Sequence, residues 1–179
     1  MQTIQLHDKQ FVPYIDAAAI EERIKLLAQQ IDADYKQERP LFIGILNGSF
    51  LFAADLFRHL TIEAEISFIK LASYKGTSST GNVITAIGLE EDLSNRHVVI
   101  IEDIIDTGKT LHSFMHELNN RAPKSIKIAS FLTKPSALQF PITADYVGFE
   151  IPNKFVVGYG LDYDGLGRNI REIYQLAAD

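Results

Sequence analysis

The 179-residue sequence predicts an α/β fold, a mostly parallel central sheet flanked by helices. Two observations carry this. The runs Leu41-Phe42-Ile43-Gly44-Ile45-Leu46 and Val98-Val99-Ile100-Ile101 are apolar without interruption, as suits strands covered on both faces rather than one. Segments of helical periodicity separate the strand candidates, and strands alternating with helices form βαβ units whose strands run parallel.

The elements follow in order. Ile20, Ile24, Leu27 and Ile31 recur at helical spacing behind Asp16, whose carboxylate suits an N-cap. Pro40 gives way to the strand at 41–46, which the turn Asn47-Gly48-Ser49 ends. Residues 50–60 read as a helix, and Ile66, Phe68 and Ile69 as part of a strand running toward Ser73-Tyr74. The polar stretch 75–82, rich in Gly, Ser and Thr, has too few apolar residues to pack and is expected to be mobile. Residues 83–87 return as a strand and complete a long hairpin. Beyond the strand at 98–101 come a helix over 109–121, a strand over 126–132, and two short strands near 146–149 and 155–158.

With 46% hydrophobic and 22% charged residues, the chain has material for one globular domain spanning residues 1–179. Its 17 basic and 23 acidic side chains leave a net charge of −6, which disfavours a broad basic surface for polyanions. Any phosphate site must therefore be local. The absence of cysteine excludes disulfides, thiolate catalysis and thiolate zinc sites. No stretch suits a secretory signal or a membrane helix, so a cytoplasmic protein is expected.

In sheets of this kind ligands bind outside the carboxyl ends of the strands, and residues 98–111 place chemistry there. A buried strand leads into two adjacent carboxylates, Glu102 and Asp103, then Asp106, then a hydroxyl-rich turn that opens a helix. The backbone N–H groups of Thr107, Gly108, Lys109 and Thr110, two hydroxyls and the positive end of the helix form a cup for a phosphate monoester. Glu102 and Asp103 suit a vicinal diol or a divalent cation. A sugar phosphate answers both halves at once. The Gly-Lys-Thr sequence also ends a P-loop, but that motif needs glycine five positions before Gly108, where Asp103 stands. His112 and His116 have zinc-ligand spacing, yet Ser113 replaces the glutamate of the metalloprotease pattern.

The run Glu102-Asp103-Ile104-Ile105-Asp106-Thr107-Gly108-Lys109-Thr110 closely resembles the phosphoribosyl pyrophosphate signature of the type I phosphoribosyltransferases, in the form of their hypoxanthine-guanine branch. The similarity extends to Leu46-Asn47-Gly48-Ser49, Ser73-Tyr74, Lys134, residues 147–152, and residues 154–159 through Leu161-Asp162-Tyr163. It implies the type I fold, with a small hood drawn from about 1–15 and 150–179, and transfer of a phosphoribosyl group from phosphoribosyl pyrophosphate to hypoxanthine or guanine.

By this resemblance Glu102 and Asp103 hold the ribose hydroxyls and support Mg2+, Thr107, Gly108, Lys109 and Thr110 cradle the 5-phosphate, and Asp106 is the general base. Lys134 would donate to the purine 6-oxo group, Phe155 would stack on the base, and Val156 would read it through backbone groups. Asp162 would bind a second magnesium and Arg168 would contact pyrophosphate. Asn47 and Gly48 would hold pyrophosphate by backbone N–H groups, with a cis peptide before Asn47, and Ser73 and Tyr74 would lead a lid. The chain departs from the pattern at Asn47, where many relatives carry a basic residue, and at Asp164-Gly165-Leu166-Gly167, where relatives tend to be aromatic. The family also implies a homodimer or homotetramer acting on small molecules, with no nucleic acid or membrane partner. A xanthine-preferring enzyme is the alternative within the family; an RNA-binding regulator of the same fold would need a basic face, against which the net charge argues.

Overall fold

The computed structural model describes residues 2–75 and 82–177, with the side chains of 72–86 outside the description. The elements are β1 (Ile4–Leu6), β2 (Lys9–Ile15), α1 (Ala17–Asp34), β3 (Leu41–Leu46), α2 (Phe50–His59), β4 (Glu65–Lys75), β5 (Asn82–Ile87), β6 (His97–Ile105), α3 (Lys109–Asn119), β7 (Ser125–Thr133), β8 (Tyr146–Glu150), β9 (Val156–Val157) and β10 (Ile173–Leu176). Asp16 caps α1 as expected, its Oδ1 accepting the Ala19 N–H at 2.8 Å.

Six strands form the main sheet in the order β5-β4-β3-β6-β7-β8. All pair in parallel except the edge strand β5, which returns antiparallel to β4. Side chains alternate across it and reach a helix on each face. Phe42, Val99, Ile101, Ala129 and Phe131 pack with Ile24 and Leu27 of α1 and Phe52 and Leu56 of α2. On the other face Leu41, Ile43, Val98 and Ile100 pack with Leu111, Phe114 and Leu118 of α3. The unbroken apolar runs thus have their cause in a strand surface that is dry on both sides.

Strand β6 runs four residues beyond the apolar run, because Glu102, Ile104 and Ile105 pair in register with Ser130, Leu132 and Thr133 of β7. Glu102 and Asp103 therefore lie within a paired strand rather than after it. A second sheet, β1-β2-β10-β9, is antiparallel and joins the two ends of the chain around Phe11, Val157 and Tyr174. Three of its strands, β1, β2 and β10, carry no pattern that stands out in the sequence: β1 has three residues, β10 four, and Pro13 interrupts β2. Among the described residues no helix is long and apolar enough to cross a membrane.

Phe131 is fully buried, with its ring 5.5 Å from Phe52 and 4.7 Å from Tyr159. Phe131→Ala is expected to cost about 3–5 kcal/mol of unfolding free energy. Urea denaturation should show this as a lower midpoint with an unchanged slope.

Candidate active site

Because β3 and β6 lie in parallel register, Gly44 opposite Ile101, the turn that follows β3 meets the carboxylates of β6. The Leu46–Asn47 peptide is cis, as the resemblance implies. Gly48 is buried beneath Asp103: a Cβ at Gly48 would lie 1.4 Å from Asp103 Oδ2, so only glycine leaves room for the carboxylate. The other oxygen of Asp103, Oδ1, accepts the Ile104 N–H at 2.8 Å. Glu102 keeps some exposed surface, but protein atoms crowd its carboxyl group. Burial raises that carboxyl well above the usual carboxylate range, and the negative Asp103 beside it raises it further.

Next comes the cup. Gly108 precedes α3 in the left-handed region, φ 78°, and the helix begins without a side-chain cap. Its first amides thus face a cavity of about 290 Å³ lined by Glu102, Asp106, Thr107, Gly108, Lys109 and Thr110 among others. Thr107 Oγ1 makes a long 3.4 Å contact with the Lys109 N–H. From behind, the Thr107 carbonyl accepts the N–H groups of Gln139 and Phe140 at 3.0 and 3.2 Å. A segment thirty residues on in the chain braces the cup, and no sequence signal marks it.

Lys134 follows β7, and its N–H donates to the Ile105 carbonyl at 2.9 Å, carrying the β6–β7 pairing one step further. Its side chain is 7% exposed, and Nζ lies 3.0 Å from Asp106 Oδ2, itself half exposed. A buried ammonium is costly unless it is paired. The carboxylate beside it supplies the pair, and two site residues from separate motifs are brought together.

The hood residues divide. Phe155 is 45% exposed and its ring is backed by Phe11 at 6.1 Å and Tyr163 at 5.8 Å, while Val156 is buried in β9. Arg168 and Asp162 face each other: Nη2 lies 2.7 Å from Asp162 Oδ1, and Nη1 donates to the Gly160 carbonyl at 2.7 Å. The second oxygen of Asp162 accepts the Gly165 N–H at 2.7 Å. Glu102, Asp103 and Asp162 do not converge, since among the described residues no three acidic or histidine side chains gather to hold a metal.

The glycine-rich tail has a plain reason. Asp164 and Gly165, at φ 46° and 85°, form a two-residue turn between Tyr163 and Leu166, which exchange hydrogen bonds of 2.8 and 3.1 Å. Turns of this hand need two positive φ values, which an Asp-Gly pair tolerates. Ser73 and Tyr74 sit in β4 with backbones opposite Ile84 and Val83; their side chains, and residues 76–81 of the expected lid, lie outside the described residues. A larger cavity of about 580 Å³, between α1, α2 and residues 159–171, shares no lining residue with the strand-end site.

Residues 14–164 match the family model described as a phosphoribosyl transferase domain. The chain is 43% identical over 152 residues to the hypoxanthine phosphoribosyltransferase of Buchnera aphidicola subsp. Schizaphis graminum, covering 83% of this chain and 86% of that protein. It is likewise 43% identical over 152 residues to the hypoxanthine-guanine phosphoribosyltransferase of Streptococcus pneumoniae, covering 84% of each. A crystal structure of a hypoxanthine phosphoribosyltransferase from Staphylococcus aureus is similar at a TM-score of 0.86 and 39% identity, over 93% of this chain and 91% of that one. With a parallel sheet, a glycine-led turn opening α3 and relatives matched over most of their length, the chain belongs to the phosphoribosyltransferase family of enzymes.

Proposed function

We propose that this protein serves purine salvage, transferring the 5-phosphoribosyl group of phosphoribosyl pyrophosphate to hypoxanthine or guanine, with IMP or GMP and pyrophosphate as products. The observation that carries the reading is the 3.0 Å contact between Lys134 Nζ and Asp106 Oδ2. It sets one donor and one acceptor side by side. A 6-oxopurine offers the matching pair, a carbonyl oxygen and an imidazole nitrogen, adjacent on one edge. Adenine, with an amino group in place of the oxygen, would set donor against donor.

In this reading the purine nitrogen forms its bond to C1 of the ribose as the bond to pyrophosphate breaks, and Asp106 accepts the imidazole proton. Lys134 donates to the 6-oxo group, the exposed face of Phe155 stacks on the base, and the Val156 backbone reads its far edge. Thr107, Gly108, Lys109 and Thr110 hold the 5-phosphate, while Glu102 and Asp103 accept hydrogen bonds from the ribose diol. Backbone N–H groups at Asn47 and Gly48 hold pyrophosphate, Arg168 contacts it, and Asp162 would hold a second Mg2+. Ser73 and Tyr74 lead the lid that keeps water from the reacting carbon. The two crowded carboxylates fit a cation, because their repulsion is relieved by one. Magnesium, when bound, neutralises the leaving pyrophosphate. A cytoplasmic homodimer or homotetramer is proposed from the resemblance.

Formation of IMP from hypoxanthine and phosphoribosyl pyrophosphate in the presence of Mg2+, followed by ultraviolet absorbance, tests the reaction. Failure with hypoxanthine and guanine alongside turnover of another base would overturn the substrate assignment. Removing divalent metal with a chelator should abolish turnover, and adding Mg2+ should restore it. Asp106→Asn should lower kcat by about a hundred- to ten-thousandfold, with the circular dichroism spectrum unchanged. Lys134→Ala should raise the KM for hypoxanthine about ten- to a hundredfold, as befits loss of a hydrogen bond to a charged group, and should narrow the preference over adenine.

A further inference from the structure

We infer that Asp55 and Tyr159, which lie outside the substrate cup, are positioning residues for the pyrophosphate turn. Tyr159 and Gly160 are the central pair of a two-residue turn, with φ 47° and 99°, closed by reciprocal 3.0 Å hydrogen bonds between Gly158 and Leu161. Gly160 rests directly on the pyrophosphate turn: a Cβ there would lie 2.1 Å from the Gly48 carbonyl oxygen. Gly48 in turn lies against Asp103 with no space for a side chain. The order Gly160, Gly48, Asp103 is therefore a stack without slack, and any movement of Gly160 is felt by the amides at Asn47 and Gly48.

Two devices hold Gly160 in place. On one side the Arg168 guanidinium donates to its carbonyl at 2.7 Å, and its own N–H donates to the Arg168 carbonyl at 3.0 Å. On the other side stands Tyr159, 5% exposed, its ring on Phe131 and its hydroxyl donating to Asp55 Oδ2 at 2.7 Å. Asp55 belongs to α2, the helix that continues from the same turn through the Phe50 N–H to Asn47 carbonyl and Ala53 N–H to Ser49 carbonyl bonds. One hydrogen bond thus ties the helix beneath the pyrophosphate turn to the loop above it. A tyrosine needed only for packing would require neither a positive φ nor a carboxylate, since phenylalanine fills the same space. Anion binding by backbone N–H groups depends on placement within a fraction of an ångström, which is what this tie fixes.

The inference rests on the pyrophosphate role of the Asn47-Gly48 turn. Calorimetric titration of the full chain with magnesium pyrophosphate, together with steady-state KM values for phosphoribosyl pyrophosphate and hypoxanthine, tests it. Tyr159→Phe and Asp55→Ala should each weaken pyrophosphate binding and raise the KM for phosphoribosyl pyrophosphate about two- to tenfold, the range of one net hydrogen bond, with the KM for hypoxanthine unmoved. Asp55→Asn, whose amide oxygen still accepts the hydroxyl, should stay near the wild-type values. Should Tyr159→Phe not fold, Asp55→Ala reads the same bond from its more exposed end. Wild-type affinity in folded variants, or a parallel rise in both KM values, overturns the positioning role. Failure of the wild-type protein to form IMP overturns instead the reading on which it rests.

Discussion

Strands β3 and β6 lie side by side in parallel, and neither has a wet face. That one pairing decides where chemistry can occur. Along the buried length of both strands a charged group would lack water, so polar residues appear only where the helical cover ends. Parallel register brings those ends to the same edge, and Asn47-Gly48 from one strand meets Glu102 and Asp103 from the other without any help from the loops. The α3 amides and the Lys134–Asp106 pair add to an edge that the sheet has already defined.

The electrostatics of that edge are arranged in opposed pairs. Glu102 and Asp103 crowd like charges together, and burial with that repulsion lifts the Glu102 carboxyl upward. Three residues beyond Asp103, Asp106 matches the buried Lys134. The first pair is short of positive charge and the second is balanced. The glycines carry the same logic sterically, since Gly48 and Gly160 let main chain stand where side chains would otherwise hold the layers apart.

Most of the main sheet is legible in the sequence because its signal is local. Apolar runs, the Asp16 cap and the strand-to-helix run at 98–111 each depend on neighbours a few residues apart. The turn before α3 is readable for the same reason, whereas the cis peptide before Asn47 is expected only through the resemblance to the family. What escapes is long-range. The meeting of Lys134 with Asp106 follows from the β6–β7 register, the brace on Thr107 comes from Gln139 and Phe140, and the Arg168–Asp162 pair closes only when the hood folds back. Asp55 carries no mark in the sequence and Tyr159, although inside the run 154–159, no role of its own, for an acid on a helix and an aromatic near a glycine ordinarily mean surface and core. The short hood strands fail for a different reason, as three or four residues are too few for alternation to show.

The second sheet draws strands from both ends of the chain, β2 pairing with β10. During synthesis β2 emerges early, and its partner follows only after every strand of the main sheet. Phe11, fully buried in the finished protein, has no core to enter until then. Such distant pairing is slow to form, because a long loop must close before its contacts repay the lost entropy. The central sheet can therefore assemble first, whereas the wall behind Phe155 is completed only when β10 arrives to pair with β2.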